Sequence, residues 1–160
     1  MRHRRSPGSH AALAAAVLVV SGAAVMAAAG PAEATAYRFW TYWHGTAAGG
    51  WAFSPVGAGA RPADGTVEGW RFAVSDAAGS RTPPRANASF DSVCGGTPAV
   101  EGRKRVGLVV DFGTAADAPP GQRPPRGIDT YCAVVTPDAN GYRVLQDYAA
   151  VRAEAGLVCA

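Results

Sequence analysis

Histidine is scarce in this chain, and past residue 36 only His44 remains. A hydrolase built on a nucleophile, a base and an orienting group would have to use His44 as its base. No G-x-S-x-G surrounds any serine, so the hydrolase elbow is excluded. There is no C-x-x-C, and one histidine with three separated cysteines does not make a zinc site. The acids Asp91, Asp111, Asp117 and Asp129 lack calcium-loop spacing. Asp111-Phe112-Gly113 spells the kinase magnesium motif with no other kinase element present, and reads as a strand ending in a tight turn. Glu68 and Asp64 are accounted for as residues flanking a turn. Lysine occurs once, against fourteen arginines, and Arg103-Lys104-Arg105 reads as a solvated strand end. No basic stripe of the kind nucleic acids require is present.

The first 36 residues carry much of the chain's apparent basicity. Arg2, His3, Arg4 and Arg5 precede a run from Ala11 to Ala29 that is almost wholly Ala, Val and Leu. Ala34-Thr35-Ala36 then offers small residues for cleavage, completing the layout of a secretory signal peptide. Arg4-Arg5 is followed by Ser6-Pro7-Gly8, which favours general secretion over twin-arginine export. The other reading is a retained membrane anchor. With residues 1–36 removed, residues 37–160 form one extracytoplasmic domain of net charge +1. Its three cysteines, Cys94, Cys132 and Cys159, suit an oxidising compartment. A Cys94–Cys132 bond would close a loop worth about 4 kcal/mol on the chain-entropy model. Three pairings remain open, and an odd cysteine next to the last residue suggests dimerisation or a chain cut short; truncation is the expectation.

What the chain has in abundance is aromatic side chains in one place. Nine of fourteen lie between Tyr37 and Phe72, including all four tryptophans. Each buries about 150–250 Å². Alternation in Tyr37–His44 predicts a strand with Tyr37, Phe39, Thr41 and Trp43 on one face and Arg38, Trp40, Tyr42 and His44 on the other. Trp51–Ser54 and Thr66–Val74 complete an antiparallel aromatic sheet, with Asp64-Gly65 as a turn. Phe90–Cys94 reads as one helical turn, Val106–Phe112 as the central buried strand, and Asp117–Gly127 as a proline-rich loop. Tyr131–Thr136 is a further strand. Tyr142–Ala155 is a helix capped by Asn140, with Val144, Leu145, Tyr148 and Val151 on one face. Leu157-Val158-Cys159 starts a strand without a partner. The order gives an α+β fold, a small sheet packed on one helix.

One aromatic face should pack on that helix. The other is either solvent-exposed, and then a recognition surface, or covered by loop 114–130. The candidate ligand-binding set is Trp40, Tyr42, Trp43, His44, Trp51 and Trp70, with Arg38 and Arg71 for acidic groups. No catalytic residue, metal or cofactor is assigned.

Two resemblances add to this. Tyr37–Gly45, Arg61–Phe72, Cys94-Gly95-Gly96 and Val109–Asp117 make the mature chain resemble a family of secreted actinobacterial proteins with no established activity. That resemblance implies association with energy-coupling-factor uptake systems for cobalt or vitamins. It also implies a further cysteine beyond Cys159. Secondly, Phe39–Trp43 and Asp64–Trp70 are similar to the end of the β-grasp domain of transcobalamin and intrinsic factor. Val144-Leu145 matches the opening of its helix, but after the hairpin, which implies a permuted β-grasp. Gly69 intrudes before Trp70, and no cobalamin-ligating Asp-x-His-x-x-Gly surrounds His44. Together these imply a secreted binding protein serving uptake of cobalamin or another flat ligand, with an envelope transport subunit as a partner. The alternatives are a protein-interaction module without a small ligand and, as an outsider, a hydrolase using His44.

Overall fold

The computed structural model describes residues 37–75, 81–154 and 157–159; the signal-peptide reading lies outside them. Among the described residues seven strands and two α-helices make an α+β arrangement. Strands β1 (Arg38–Gly45), β2 (Trp51–Phe53), β3 (Val67–Val74), β4 (Lys104–Asp111) and β5 (Ile128–Val135) form one sheet in the order β2-β1-β3-β4-β5. The aromatic strands β1, β2 and β3 are antiparallel as expected, with Tyr42 opposite Trp70 and Trp40 opposite Phe72. The sheet is nonetheless mixed, because β3 and β4 run parallel and the chain between residues 75 and 103 must cross over. The centre is therefore β3, flanked by β1 and β4, and not the apolar run of β4 alone.

Tyr42, Trp70, Val106, Leu108, Val110 and Ala133 point to one face. Helix α2 (Gly141–Tyr148) lies on it through Val144 and Leu145, both buried. The Asn140 side chain accepts from Arg143 N–H and caps the helix, as its sequence position predicted. The helix is shorter than expected. Ala149 turns to extended backbone, and Arg152–Glu154 (β6) pairs antiparallel with Leu157–Cys159 (β7). Hairpin pairing overrides the helix propensity of Ala and Glu there. It also gives the supposedly partnerless last strand its partner.

The second face is not open. Trp43 and Arg71 are buried on it, and Trp51 and Pro84 stack over Gly69, where an added Cβ would lie 2.7 Å from the indole and 2.8 Å from the proline ring. Helix α1 (Phe90–Cys94), with a Ser89–Ser92 capping box, is tied to β5 by the Cys94–Cys132 disulfide. The cover is thus Trp51 and the segment from residue 81 to Cys94, with Thr114–Ala118 closing only one end. Of the two alternatives for this face, the covered one holds, but with a different cover from the expected loop 114–130. The polar stretch around Pro83-Pro84 covers it, and its Arg85 is paired with the buried Asp111 beneath.

Candidate functional site

Burial on both faces sorts the expected binding residues into three places. The first is a charged network under the second face. Arg71 donates to Asp111 at 3.0 Å and to Asp117 at 2.8 Å. Arg85 reaches Asp111 at 2.7 Å from the half-exposed side, and Gly113 N–H donates to Asp111 at 3.0 Å. Burial pushes the Asp111 carboxyl up, but Arg85, the Gly113 amide and Arg71 outweigh it and hold it below its ordinary value. Asp117 is lowered in the same way against its burial by Thr114, Val74 and Arg71. Arg71 is therefore neutralised inside the protein and is not free for an acidic ligand. Arg38 is exposed, yet its Nε is spent on the carbonyls of Asp117 and Ala118. Trp43 donates to Thr41 Oγ1 at 2.8 Å, and Trp51 to the carbonyl of Ala86 at 3.1 Å. Trp43 and Arg71 are thus buried with internal partners, and Trp51 is half-buried with its indole N–H paired.

The second place is the far end of β1. His44, about one-third exposed, lies with Nδ1 2.6 Å from the Glu68 carboxylate, which is 2% exposed. Burial raises the Glu68 pKa, partly offset by Tyr42, His44 and Thr66. Thr66 Oγ1 is 3.3 Å from the carboxylate. The Tyr42 hydroxyl nears Glu68 without reaching hydrogen-bond geometry, and is buried without a partner among the described residues, as is the Trp70 indole N–H. This is an imidazole held by a buried carboxylate, and Glu68 is more than a turn-flanking acid. Among the described residues no hydroxyl or thiol is hydrogen-bonded to His44, so the nucleophile of a triad is not assembled. Nearby, Lys104 is buried, correcting the solvated reading, and donates to the carbonyls of Pro62 and Ala139, both at 2.7 Å. Among the described residues no cluster of three His, Cys, Asp or Glu side chains could hold a metal.

The third place is a groove of about 520 Å³ that crosses the edge of β1 beyond the end of β2. Its aromatic walls are Phe39, Trp40, Tyr42, Phe53, Trp70 and Tyr142, closed on one side by the loop from Ser54 to Gly59. Trp40 is half-buried, held edge-on to Phe112 at 5.4 Å and tilted against Phe72 at 5.5 Å. It also walls a smaller apolar cavity of about 250 Å³ with Phe112, Leu145, Tyr148 and Val151. Arg81 enters the large groove with its guanidinium 4.3 Å above the Phe53 ring. Of the expected set, Trp40, Tyr42 and Trp70 come together here. His44 is elsewhere on the same face, and Trp43, Trp51, Arg38 and Arg71 are elsewhere altogether. Phe39, Phe53, Arg81 and Tyr142 were missed. Alternation assigns Phe39 and Phe53 to the opposite face, and only the short length of β2 lets the groove wrap round the edge to reach them.

A family model matches residues 32–160. The chain belongs to the SCO2322-like domain family. No curated protein and no solved structure shows a significant match to it. The match carries the family and no activity, and it gives the uptake-system and β-grasp resemblances no support of their own. Among the described residues no helix is long and apolar enough to cross a membrane.

Proposed function

We propose that this domain is an extracytoplasmic binding protein, not an enzyme, and that it holds a small flat ligand in the aromatic groove at the edge of β1 for an uptake system. The reading rests on one observation. Three aromatic residues singled out by the sequence, Trp40, Tyr42 and Trp70, converge on a groove of about 520 Å³. Small-molecule sites are typically about 300–1,000 Å³, largely apolar, with few polar groups. Cobalamin is the ligand that the resemblance implies, and it is larger than the groove, so a corrinoid would be gripped by one edge. Tryptophan fluorescence of residues 37–160 with the disulfide intact, titrated with cobalamin, tests this. A saturable quench that Trp40→Ala weakens is expected. No quench beyond the inner-filter effect at high micromolar ligand overturns the corrinoid version.

A second reading is a protein-interaction module. Edge strand β5 supports it, with Ile128 and Tyr131 each 37% exposed. Crosslinking from the cell envelope to a transport subunit through β5 would favour it. A hydrolase would instead lose all activity on His44→Ala.

A further inference from the structure

The ligand class of the groove follows from how the arginines around it are used. Arg71 is consumed by Asp111 and Asp117, and Arg38, which does not line the groove, gives its Nε to two carbonyls. Arg85 is consumed by Asp111. Arg81 differs. It is exposed, and among the described residues no acidic side chain pairs with it. Its guanidinium carbon lies 4.3 Å from the centre of the Phe53 ring, and among the described residues none of its N–H groups has a hydrogen-bond partner. A guanidinium stacked on an aromatic ring is pre-oriented, so less freedom is lost when it forms a charge-assisted bond. Among the described residues, the groove's other aromatic lining is the half-buried Phe39, Trp40 and Tyr142 over a floor of buried Tyr42 and Trp70, and it carries no second cation.

We infer that the groove selects a planar aromatic or polycyclic molecule bearing one anionic group, with the flat body against the aromatic wall and the anion on Arg81. This rests on the groove being the binding site. It replaces the acid-binding role first expected of Arg38 and Arg71. A purely apolar ligand would leave Arg81 without a role in recognition. Among the described residues that line the groove a polyanion would meet one unpaired cation, and would gain little from it.

Two fluorescent probes of similar shape separate the possibilities: 8-anilinonaphthalene-1-sulfonate, which carries the anion, and the neutral N-phenyl-1-naphthylamine. Both are titrated against the oxidised domain, Arg81→Gln and Trp40→Ala, with thermal melts to confirm that each variant is folded. Arg81 is exposed, and its replacement should leave the melt unchanged. The expected result is saturable binding of both probes. Arg81→Gln should weaken the sulfonate about tenfold, the size of a lost charge-assisted hydrogen bond, and leave the neutral probe unaffected. Trp40→Ala should weaken both. If Arg81→Gln changes neither probe or both equally, the anion role of Arg81 is overturned while the groove stands. If neither probe binds, or Trp40→Ala leaves both unchanged, the groove itself is not the site and the inference falls with it.

Discussion

The two faces of the sheet are buried by different physics. The helix-side face is a conventional apolar core, with Leu108, Val106 and Val144 fully buried and Tyr42 on Trp70 at 5.1 Å. The opposite face has few aliphatic side chains to offer. It is closed by two stacked groups over a glycine, a five-residue helix, one disulfide, and a four-residue network of alternating charge. A buried ion pair gains little over an apolar substitute, but breaking one by removing a single partner is costly. The two faces should therefore respond differently to mutation even where burial is equal.

Asp111→Ala is the strongest test of that difference. It strands Arg71 in the interior and releases Arg85, and a loss of about 3–5 kcal/mol is expected by urea unfolding of the oxidised domain. A loss under 1 kcal/mol would reduce the network to surface electrostatics. On the other face, Leu108→Ala should cost about 2–5 kcal/mol by the same measurement, through the cavity it leaves. The faces separate on combination. Arg71→Met with Asp111→Leu and Asp117→Asn, which leaves no buried charge without its partner, should recover much of the Asp111→Ala loss, whereas no polar pair should rescue Leu108→Ala. Next in size is the disulfide, which serves the charged face alone. Cys94→Ser with Cys132→Ser should lower stability by about 2–4 kcal/mol.

Smaller effects come from one glycine on each face. An alanine Cβ at Gly141 would fall within the buried Tyr42 ring, and at Gly69 against Trp51 and Pro84. Overpacking costs about 1–3 kcal/mol. Gly141→Ala should lie at the upper end because Tyr42 is 3% exposed and cannot retreat, and Gly69→Ala at the lower because Trp51 is half-buried. Equal thermal shifts would mean that the two covers are equally rigid. The smallest effect is in pH. Glu68 has a raised pKa in the folded state, so its contribution is fully present below the unfolded value near 4.5 and is lost as pH rises through the folded value. Asp111 and Asp117 have lowered values, so theirs is present above about 3.8 and lost as pH falls through their folded values. Melts of the wild-type domain and Glu68→Gln from pH 4.5 to 7 should diverge, with the wild type declining more steeply as pH rises. Parallel curves would remove Glu68 from the account.

The same contrast explains what could be read in advance. The helix-side face was legible because period-two alternation in β1 and β3 and the 3.6-residue spacing of Val144, Leu145 and Tyr148 are direct imprints of burial. The disulfide partners were also legible. Arg71 was not, since an arginine between Trp70 and Phe72 in an alternating strand reads as the solvent side. Its carboxylate partners are 40 and 46 residues away. The parallel pairing of β3 with β4 left no local signal either, because both strands look alike whichever way they run. In the groove, Trp40, Tyr42 and Trp70 on one face of β1 and β3 were foreseen, whereas Phe39 on the other face of β1, Phe53, Arg81 and Tyr142 were not. Arg81 sits beside Phe53 through tertiary placement of a loop, with no periodicity to announce it.

The disulfide has a mechanical consequence. The ring closed by Cys94 and Cys132 contains the whole of β4 and the start of β5. Tension applied between the two ends of the domain would pass from β3 through residues 75–93 and across the sulfur bridge, bypassing that ring. Strand β4 would stay slack while β1 and β3 were being peeled apart. The oxidised chain would also come up short when stretched, by about 130 Å for the sequence separation of 38 between the cysteines. A domain held at one end and loaded at the other would thus lose its aromatic groove first and keep its buried strand longest.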